Sequence, residues 1–289
     1  MKQASIFLTG ATGSVGSHLI QELISLNEPV KALVRDKSIP TALSGIELVE
    51  LVEGDLDEPA SFEPALKGIQ KAFLLTNSSE KAQRQQLNFV GAAARAGVGH
   101  IVKLSQFAAS EGSPVRFLRY HAAVENAIRA SGISYTFLRP NLFMQGLLAF
   151  KDYIKENGQF FACIGHGRIS AVDVRDIAAV AARCMTGPAH QNKIYDITGP
   201  SALTHYQMAE IFSKVLEKPV AFIDVTPEQM RAGLEAAGFE RWQLEGLLED
   251  YAHYARGEAA PVTSTVQELT GRSAISFEQF VKDYAGSFL

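Results

Sequence analysis

The stretch Gly10-Ala11-Thr12-Gly13-Ser14-Val15-Gly16 separates an apolar run, Ala4-Ser5-Ile6-Phe7-Leu8-Thr9, from a helical pattern, Ser17-His18-Leu19-Ile20-Gln21-Glu22-Leu23-Ile24. A strand, a glycine-rich turn and a helix in that order form a phosphate cradle. Gly10 permits a sharp turn, Gly13 lets a pyrophosphate approach the backbone, and Gly16 lets the helix pack close to the strand. The free N–H groups and positive dipole end of the helix then face the phosphates. Thr12, Ser14 and Val15 thereby join the three glycines as expected cofactor contacts. The spacing is G-x-x-G-x-x-G rather than G-x-G-x-x-G, and the bland alternative is a glycine-rich turn with no ligand. The strand-to-helix context favours a dinucleotide site.

Outward from this turn, short apolar runs alternate with amphipathic stretches. Strands are expected at Ser5–Thr9, Val30–Arg35, Glu47–Glu53, Lys71–Thr76, His100–Ser105 and Ser134–Arg139. Helices are expected at Ser14–Ser25, Glu58–Leu66, Glu80–Ala96 and Phe117–Ala130. That rhythm implies parallel βαβ crossovers and an α/β fold, a doubly wound parallel sheet of the Rossmann type. After Pro140 the pattern changes. Asn141–Glu156 reads as helical, Gly158–Gly167 as a loop or hairpin, and Ile177–Met185 as a helix. Lys193–Thr198 reads as a further core strand, and Leu203–Leu289 as mostly helical with one strand at Val220–Val225. The expected organisation is a nucleotide-binding domain over 1–141 and about 168–200. A smaller, mostly helical substrate lobe covers about 142–167 and 201–289.

Composition excludes several classes. With 47% hydrophobic and 20% charged residues, the chain has ordinary globular composition and enough length for a large core or two lobes. A net charge of −4 gives no basic excess for nucleic acid. Cys163 and Cys184 lie far apart without metal-ligand spacing, and the histidines show none either, so no metal is expected. No apolar run spans a bilayer, and the first strand leaves no room for a signal peptide, so a reduced, cytoplasmic protein is expected.

The end of the second strand bears on the cofactor. An NAD site places Asp or Glu about 20 residues past the glycines. Here the strand ends Leu33-Val34-Arg35-Asp36-Lys37. Arg35 can take a 2′-phosphate bidentately and stack on adenine, and Lys37 adds charge. NADPH is therefore favoured, while Asp36 keeps NADH possible; the alternative is a surface arginine paired with Asp36. Gly54-Asp55-Leu56 closes the third strand, where Asp55 either accepts from the adenine amino group or caps the following helix.

These residues, with Thr9–Gly16, Val34-Arg35, Gly54-Asp55, His121-x-x-x-Glu125, Ser131–Pro140, Val172–Ala178 and Leu269-Thr270-Gly271-Arg272, resemble the NmrA-like, atypical branch of the short-chain dehydrogenase/reductase superfamily. The resemblance covers essentially the whole chain. Within the branch it is nearest to NAD(P)H:quinone oxidoreductases and azo- or triarylmethane-dye reductases. Members with full short-chain chemistry carry Tyr-x-x-x-Lys. Counted back from Glu125, His121 stands at the Lys position and Phe117 at the Tyr position. Phenylalanine cannot transfer a proton. Tyr120 would face the site only if its helix were rotated or shifted from the family arrangement.

The resemblance implies further roles. His121 bonds the nicotinamide ribose or donates a proton with an ordinary pKa near about 6.5, unless it merely packs. Ser105 contacts the nicotinamide ribose or carboxamide, or only ends its strand, and Gln106 and Phe107 line the acceptor pocket. Thr76 and Asn77 lie beside the adenosine path, with Asn77 also an N-cap candidate. Pro140 passes the nicotinamide ring, followed by Asn141 and Phe143 in the acceptor pocket. Phe143, Met144, Phe150, Phe160 and Phe161 form either an apolar lid or a lobe core. Asp173 and Asp176 read as helix caps paired with Arg175 or Arg139.

A kept cofactor site without the Tyr–Lys pair points to NADPH-dependent reduction of a conjugated electrophile, a quinone or azo dye. Hydride goes directly to such an acceptor and water can supply the proton. The competing reading is a redox sensor that binds NADP(H) without turnover and signals to a protein partner. A nucleotide-sugar epimerase would need the absent Tyr.

Overall fold

The computed structural model describes residues 4–39 and 41–289. Its strands are β1 Ile6–Leu8, β2 Val30–Val34, β3 Val49–Glu53, β4 Lys71–Leu74, β5 His100–Leu104, β6 Ser134–Pro140, β7 Gln159–Ala162, β8 Arg168–Ile169, β9 Lys193–Ile197, β10 Leu203–Thr204 and β11 Ala221–Asp224. Its helices are α1 Ser14–Ser25, α2 Ala82–Ala96, α3 Arg116–Ala130, α4 Lys151–Asn157, α5 Val174–Thr186, α6 His205–Leu216, α7 Pro227–Ala236, α8 Arg241–Ala255, α9 Thr265–Thr270, α10 Phe277–Asp283 and α11 Ala285–Phe288. No helix among the described residues is long and apolar enough to cross a membrane.

Seven strands make one sheet in the order β3-β2-β1-β4-β5-β6-β9. Strands β1 to β6 pair in parallel. The bonds Asn192 N to Tyr135 O and Asn141 N to Ile197 O advance in the same sense along β6 and β9, so β9 is parallel too. The order reverses between β1 and β4. Such a switch point opens the crevice in which doubly wound sheets bind ligands.

Contacts divide the chain into two units. The first holds Met1–Gly112, Leu118–Arg139 and Ile177–Tyr195; the second holds Ser113–Phe117, Pro140–Asp176 and Asp196–Leu289. These bounds differ from the sequence-based ones at 113–117, 140–141, 168–176 and 196–200, all of which fall in the second unit.

In the first unit, alternate strand residues point to one face. Phe7, Leu33, Ala72, Leu74, Ile101 and Phe137 share that face and pack with Phe89, Val124 and Ile128 into one buried cluster. Lys103 has the same parity as Ile101 and pairs between Leu74 and Phe137. In α3, Val124 and Ile128 are four apart, so His121 and Glu125 lie on the same inward stripe. A buried cation and two polar helix residues therefore meet under the sheet.

The expected helix over Glu58–Leu66 is two 3₁₀ turns, Pro59–Ser61 and Glu63–Leu66. Pro64 has no N–H to continue an α-helical ladder from Pro59. Helix α2 begins at Ala82 rather than Glu80, with Lys81 as its N-cap, so Asn77 does not cap it.

The second unit is mostly helical around Phe160, Phe212, Phe222, Phe280 and Phe288. Thr204 with Gln207, and Thr226 with Gln229, form capping boxes that start α6 and α7. The segment Gly158–Gly167, expected as a loop or hairpin, contains β7, which pairs in parallel with the distant β11. A short antiparallel pair, β8 and β10, is an addition to the expected elements. The expected helix over Asn141–Glu156 is a 3₁₀ segment, Met144–Phe150, followed by α4.

Candidate active site

The glycine turn is built as a cradle. Gly10 has φ +64° and lies against Leu75, where a Cβ would come within 2.8 Å of Cγ. Thr9 fastens the turn to the end of β4: its Oγ1 donates to Leu75 O at 2.7 Å and accepts from Leu75 N at 2.8 Å. A Cβ on Gly16 would stand 2.1 Å from Gly10 O, so only glycine allows α1 to begin this close. Gly13 is the N-cap and has no side chain to offer the first-turn N–H groups. Gly13 N donates to Gly10 O at 3.1 Å and the first intrahelical bond is Ser17 N to Gly13 O at 2.9 Å, leaving the N–H groups of Ser14, Val15 and Gly16 for another acceptor. Thr12, Gly13 and Ser14 are exposed, whereas Val15 turns its side chain into the core. An anionic group such as a pyrophosphate fits this arrangement.

Around the same sheet edge lie the other sequence-derived positions. Arg35 follows β2, is exposed, and forms no ion pair among the described residues. Asp36 does not pair with it. Its Oδ1 accepts from Ser38 N at 2.8 Å and Ser38 Oγ at 2.6 Å, which holds its carboxyl below the usual range. Lys37 is exposed, its N–H directed to Glu53. Asp55 Oδ1 accepts from Asp57 N at 2.8 Å, ordering its own turn rather than capping an α-helix. Leu56 packs against the core, and its carbonyl accepts from Asn88. Thr76 Oγ1 accepts from Gln86 Nε2 at 2.8 Å, and Asn77 is exposed.

After β5 comes a buried polar cluster. Lys103 Nζ donates to Nδ1 of His121 at 2.7 Å and to Leu104 O at 3.1 Å. An ammonium only donates, so Nδ1 must accept and the neutral ring carries its proton on Nε2. Burial, with Lys103 and Arg139 nearby, holds His121 well below the ordinary imidazole value. The sequence expectation of an unperturbed histidine is thus corrected: His121 is a neutral N–H donor. Burial also pulls Lys103 down to about 7, against the pull of Glu125 and with the help of Arg139. Glu125 accepts from Ser105 Oγ at 2.6 Å and from Arg139 Nε and Nη2 at 2.9 and 2.6 Å. Ser105 therefore both closes β5 and ties it to α3. Arg139 is committed here to Glu125.

Tyr120 is buried, its ring 4.1 Å from that of His121 and its hydroxyl 3.3 Å from Ser78 Oγ. It packs beside the cluster, with its hydroxyl within hydrogen-bond distance of Ser78. Gln106 and Phe107 follow Ser105 and are half-buried.

In the second unit, Phe117 fills the family's tyrosine position as a packing residue. Its ring lies 5.2 Å from Trp242 and against Gly246. Pro140 is buried at the end of β6. Asn141, expected in the acceptor pocket, is instead a structural knot. Its Nδ2 donates to Ser170 Oγ and Ala259 O, both at 2.8 Å, and its Oδ1 accepts from Leu142 N. Phe143 is half-buried and bridged to Val172. Met144 and Phe160 belong to the core rather than to a lid; Phe150 and Phe161 meet edge-on at 4.9 Å. Asp173 binds Arg175, as expected. Asp176 accepts from Arg272 and from Ile275 N.

Sequence reasoning missed Lys103. Its signal was a lysine at inward parity in an apolar strand, opposite a helix stripe carrying His121 and Glu125.

Residues 2–259 match the NmrA-like family. The chain belongs to the NmrA-like family. Among its relatives is the NAD(P)H azoreductase of Xenophilus azovorans, 35% identical over 98% of this chain and 99% of that protein. Among solved NmrA-like neighbours, an NADPH-dependent quinone oxidoreductase from Escherichia coli, complexed with NADPH, superimposes with a TM-score of 0.89 at 27% identity, covering 97% of this chain and 99% of its own. The triphenylmethane reductase of Citrobacter sp., complexed with NADP(H), gives a TM-score of 0.85 at 30% identity over 96% and 99% of the two chains.

Proposed function

We propose that this chain is an NADPH-dependent oxidoreductase that reduces a conjugated, electrophilic small molecule such as a quinone or an azo dye. The observation that carries the reading is the uncapped start of α1 behind Gly10–Gly16, with an exposed Arg35 on the neighbouring strand end. The named relatives fit the same assignment. When bound, the nicotinamide supplies a hydride.

The chain's own residues then have the following tasks. Backbone N–H groups of Thr12, Ser14 and Val15 hold the pyrophosphate, with the Gly13 N–H bonded to Gly10 O inside the turn and Gly10 and Gly16 shaping it. Arg35, assisted by Lys37, neutralises the 2′-phosphate. Asp55, Leu56, Thr76 and Asn77 border the adenosine side. Ser105 faces the nicotinamide ribose, His121 turns its Nε2–H toward the ribose and the acceptor beside it, and Gln106 and Phe107 face the acceptor. Phe117 stands at the tyrosine position and cannot transfer a proton, so the acceptor is one whose conjugation stabilises the added electron pair.

The test is oxidation of NADPH in the presence of quinones and azo dyes, followed by absorbance, beside binding titrations with NADPH and NADH. Acceptor-dependent oxidation supports the reductase. Tight NADPH binding with no turnover on any acceptor overturns it in favour of a redox-sensing regulator.

A further inference from the structure

We propose that Lys103 is a positioning residue that supplies, through the His121 ring, the proton taken up by the reduced acceptor. The proposal rests on the reductase reading above. Lys103 is fully buried, and its hydrogen bonds among the described residues go to His121 Nδ1 and Leu104 O. An ammonium at that depth without a carboxylate in contact is costly. Packing alone does not call for one: the residues paired with it, Leu74 and Phe137, are apolar. Glu125 does not neutralise it directly, because its oxygens are taken by Ser105 and Arg139, with Arg129 at 3.5 Å. The charged and titratable groups around Lys103 are thus His121 and Glu125 from α3 and Arg139 from β6, with Tyr120 against the ring and Arg129 behind Glu125.

One nitrogen of His121 faces this cation. The other, Nε2, forms no hydrogen bond among the described residues and is not a sealed, unsatisfied atom. A neutral imidazole between an ammonium and an open N–H is a relay. An acceptor that gains hydride becomes an anion at oxygen or nitrogen. The Nε2 proton passes to that atom, the ammonium gives a proton to Nδ1, and Lys103 is left as an amine. Acceptor, hydride and one proton sum to the reduced product, and His121 is neutral before and after. Water returns the proton along the same ring in the opposite sense. Burial, which brings Lys103 down to about 7, makes it a usable acid at neutral pH.

A cationic triarylmethane dye separates the steps, since hydride addition to its central carbon gives a neutral product that needs no proton. The experiment compares the native chain with Lys103→Met and Lys103→Arg on a quinone and on such a dye, with NADPH, from about pH 6 to pH 9. In the native protein quinone turnover falls as pH rises through about 7. Lys103→Met loses that limb, and its ratio of quinone to dye turnover falls by about 10-fold or more at neutral pH. Lys103→Arg keeps a donor to Nδ1 but cannot release a proton, so it does not rescue the ratio. Independently of turnover, ¹⁵N NMR of the histidine rings, assigned with His121→Gln, reads an Nε2–H tautomer in the native protein and in Lys103→Arg. A mixed tautomer is expected in Lys103→Met. An unchanged ratio, or an unchanged ring signal in Lys103→Met, overturns the relay. Failure of the native protein to oxidise NADPH with either acceptor overturns the reductase reading and the relay with it, and the ring signal then reports the Lys103–His121 bond alone.

Discussion

Lys103 Nζ and His121 Nδ1 lie 2.7 Å apart, both residues buried. At that separation only one of the two is cationic, because like charges in a desolvated site repel strongly. The contact joins β5 to α3, and the Glu125–Arg139 pair joins α3 to β6. The polar cluster is therefore also a brace across three elements of the first unit.

The brace has a pH signature. Lys103 titrates near 7 when folded and near its ordinary 10.5 when unfolded. Between those values the unfolded chain binds more protons, so stability rises with pH across that window and is lost as pH falls through 7. Urea midpoints measured from about pH 7 to pH 8.5 are expected to climb for the native protein. The slope should flatten in Lys103→Met. An equal slope in both proteins would show that the lysine is not the group responsible.

A second pH effect belongs to the second unit. Burial, opposed by Asp224, brings His205 down to about 4, and its Nδ1 has no partner among the described residues. Its ring sits among Phe160, Phe222 and Tyr251. A histidine near 4 when folded and near 6.5 when unfolded gives stability that is present above 6.5 and lost as pH falls toward 4. The loss reaches about 3 kcal/mol at the limit. His205→Phe should remove the unpaired nitrogen and shallow the acid limb of a thermal-melt pH series. A limb as steep as that of the native protein would contradict this.

Breaking the buried ion pair is a different kind of test. Arg139→Met leaves the Glu125 carboxylate, which is fully buried, with Ser105 and the distant Arg129 as its partners. A stranded buried charge costs about 3–5 kcal/mol. Chemical denaturation should show a loss of that order at neutral pH, partly recovered in the Arg139→Met, Glu125→Gln double variant. Additive losses in the double variant would argue against direct coupling.

Much of this was legible in the sequence, for identifiable reasons. Helix α1 was read to the residue, Ser14–Ser25, because the glycine turn sets its start and its apolar spacing its length. The strands of the first unit were read to within about two residues because each is a short apolar run closed by a polar or glycine residue. What escaped depends on partners distant in sequence. Strand β7 finds β11 only through tertiary packing. Asn141 reveals itself as a knot only when Ser170 and Ala259 arrive beside it. Lys103 looked like one polar residue in a strand, and its meaning appears only once sheet register sets it against His121.

The glycines separate fold from cofactor. A methyl on Gly16 would lie 2.1 Å from a backbone oxygen, whereas one on Gly13 would lie 3.3 Å from Gly10 O. Gly13 also has φ −78° and ψ 172°, which any residue adopts. Gly16→Ala should cost about 2 kcal/mol or more through overpacking. Gly13→Ala should keep a near-native melting temperature and lose about 10-fold or more in NADPH affinity, because its Cβ occupies the approach to the uncapped N–H groups. Native affinity in a stably folded Gly13→Ala would remove the pyrophosphate from this turn.

Arg35 tests the choice of cofactor. It is exposed, Asp36 is occupied by Ser38, and no ion pair among the described residues holds it, so its removal should leave stability within about 0.5 kcal/mol. Charge-assisted bonds to a phosphate contribute about 1.5–3 kcal/mol. Arg35→Ala should therefore weaken NADPH binding by about 10- to 100-fold while leaving NADH binding nearly unchanged. Because the contact is a surface charge pair, the difference between the two cofactors should also shrink as salt is raised in the native protein. Calorimetric titration of both cofactors at two salt concentrations measures all of this at once. Equal losses for NADPH and NADH, or a preference that ignores salt, would place the 2′-phosphate somewhere other than on Arg35.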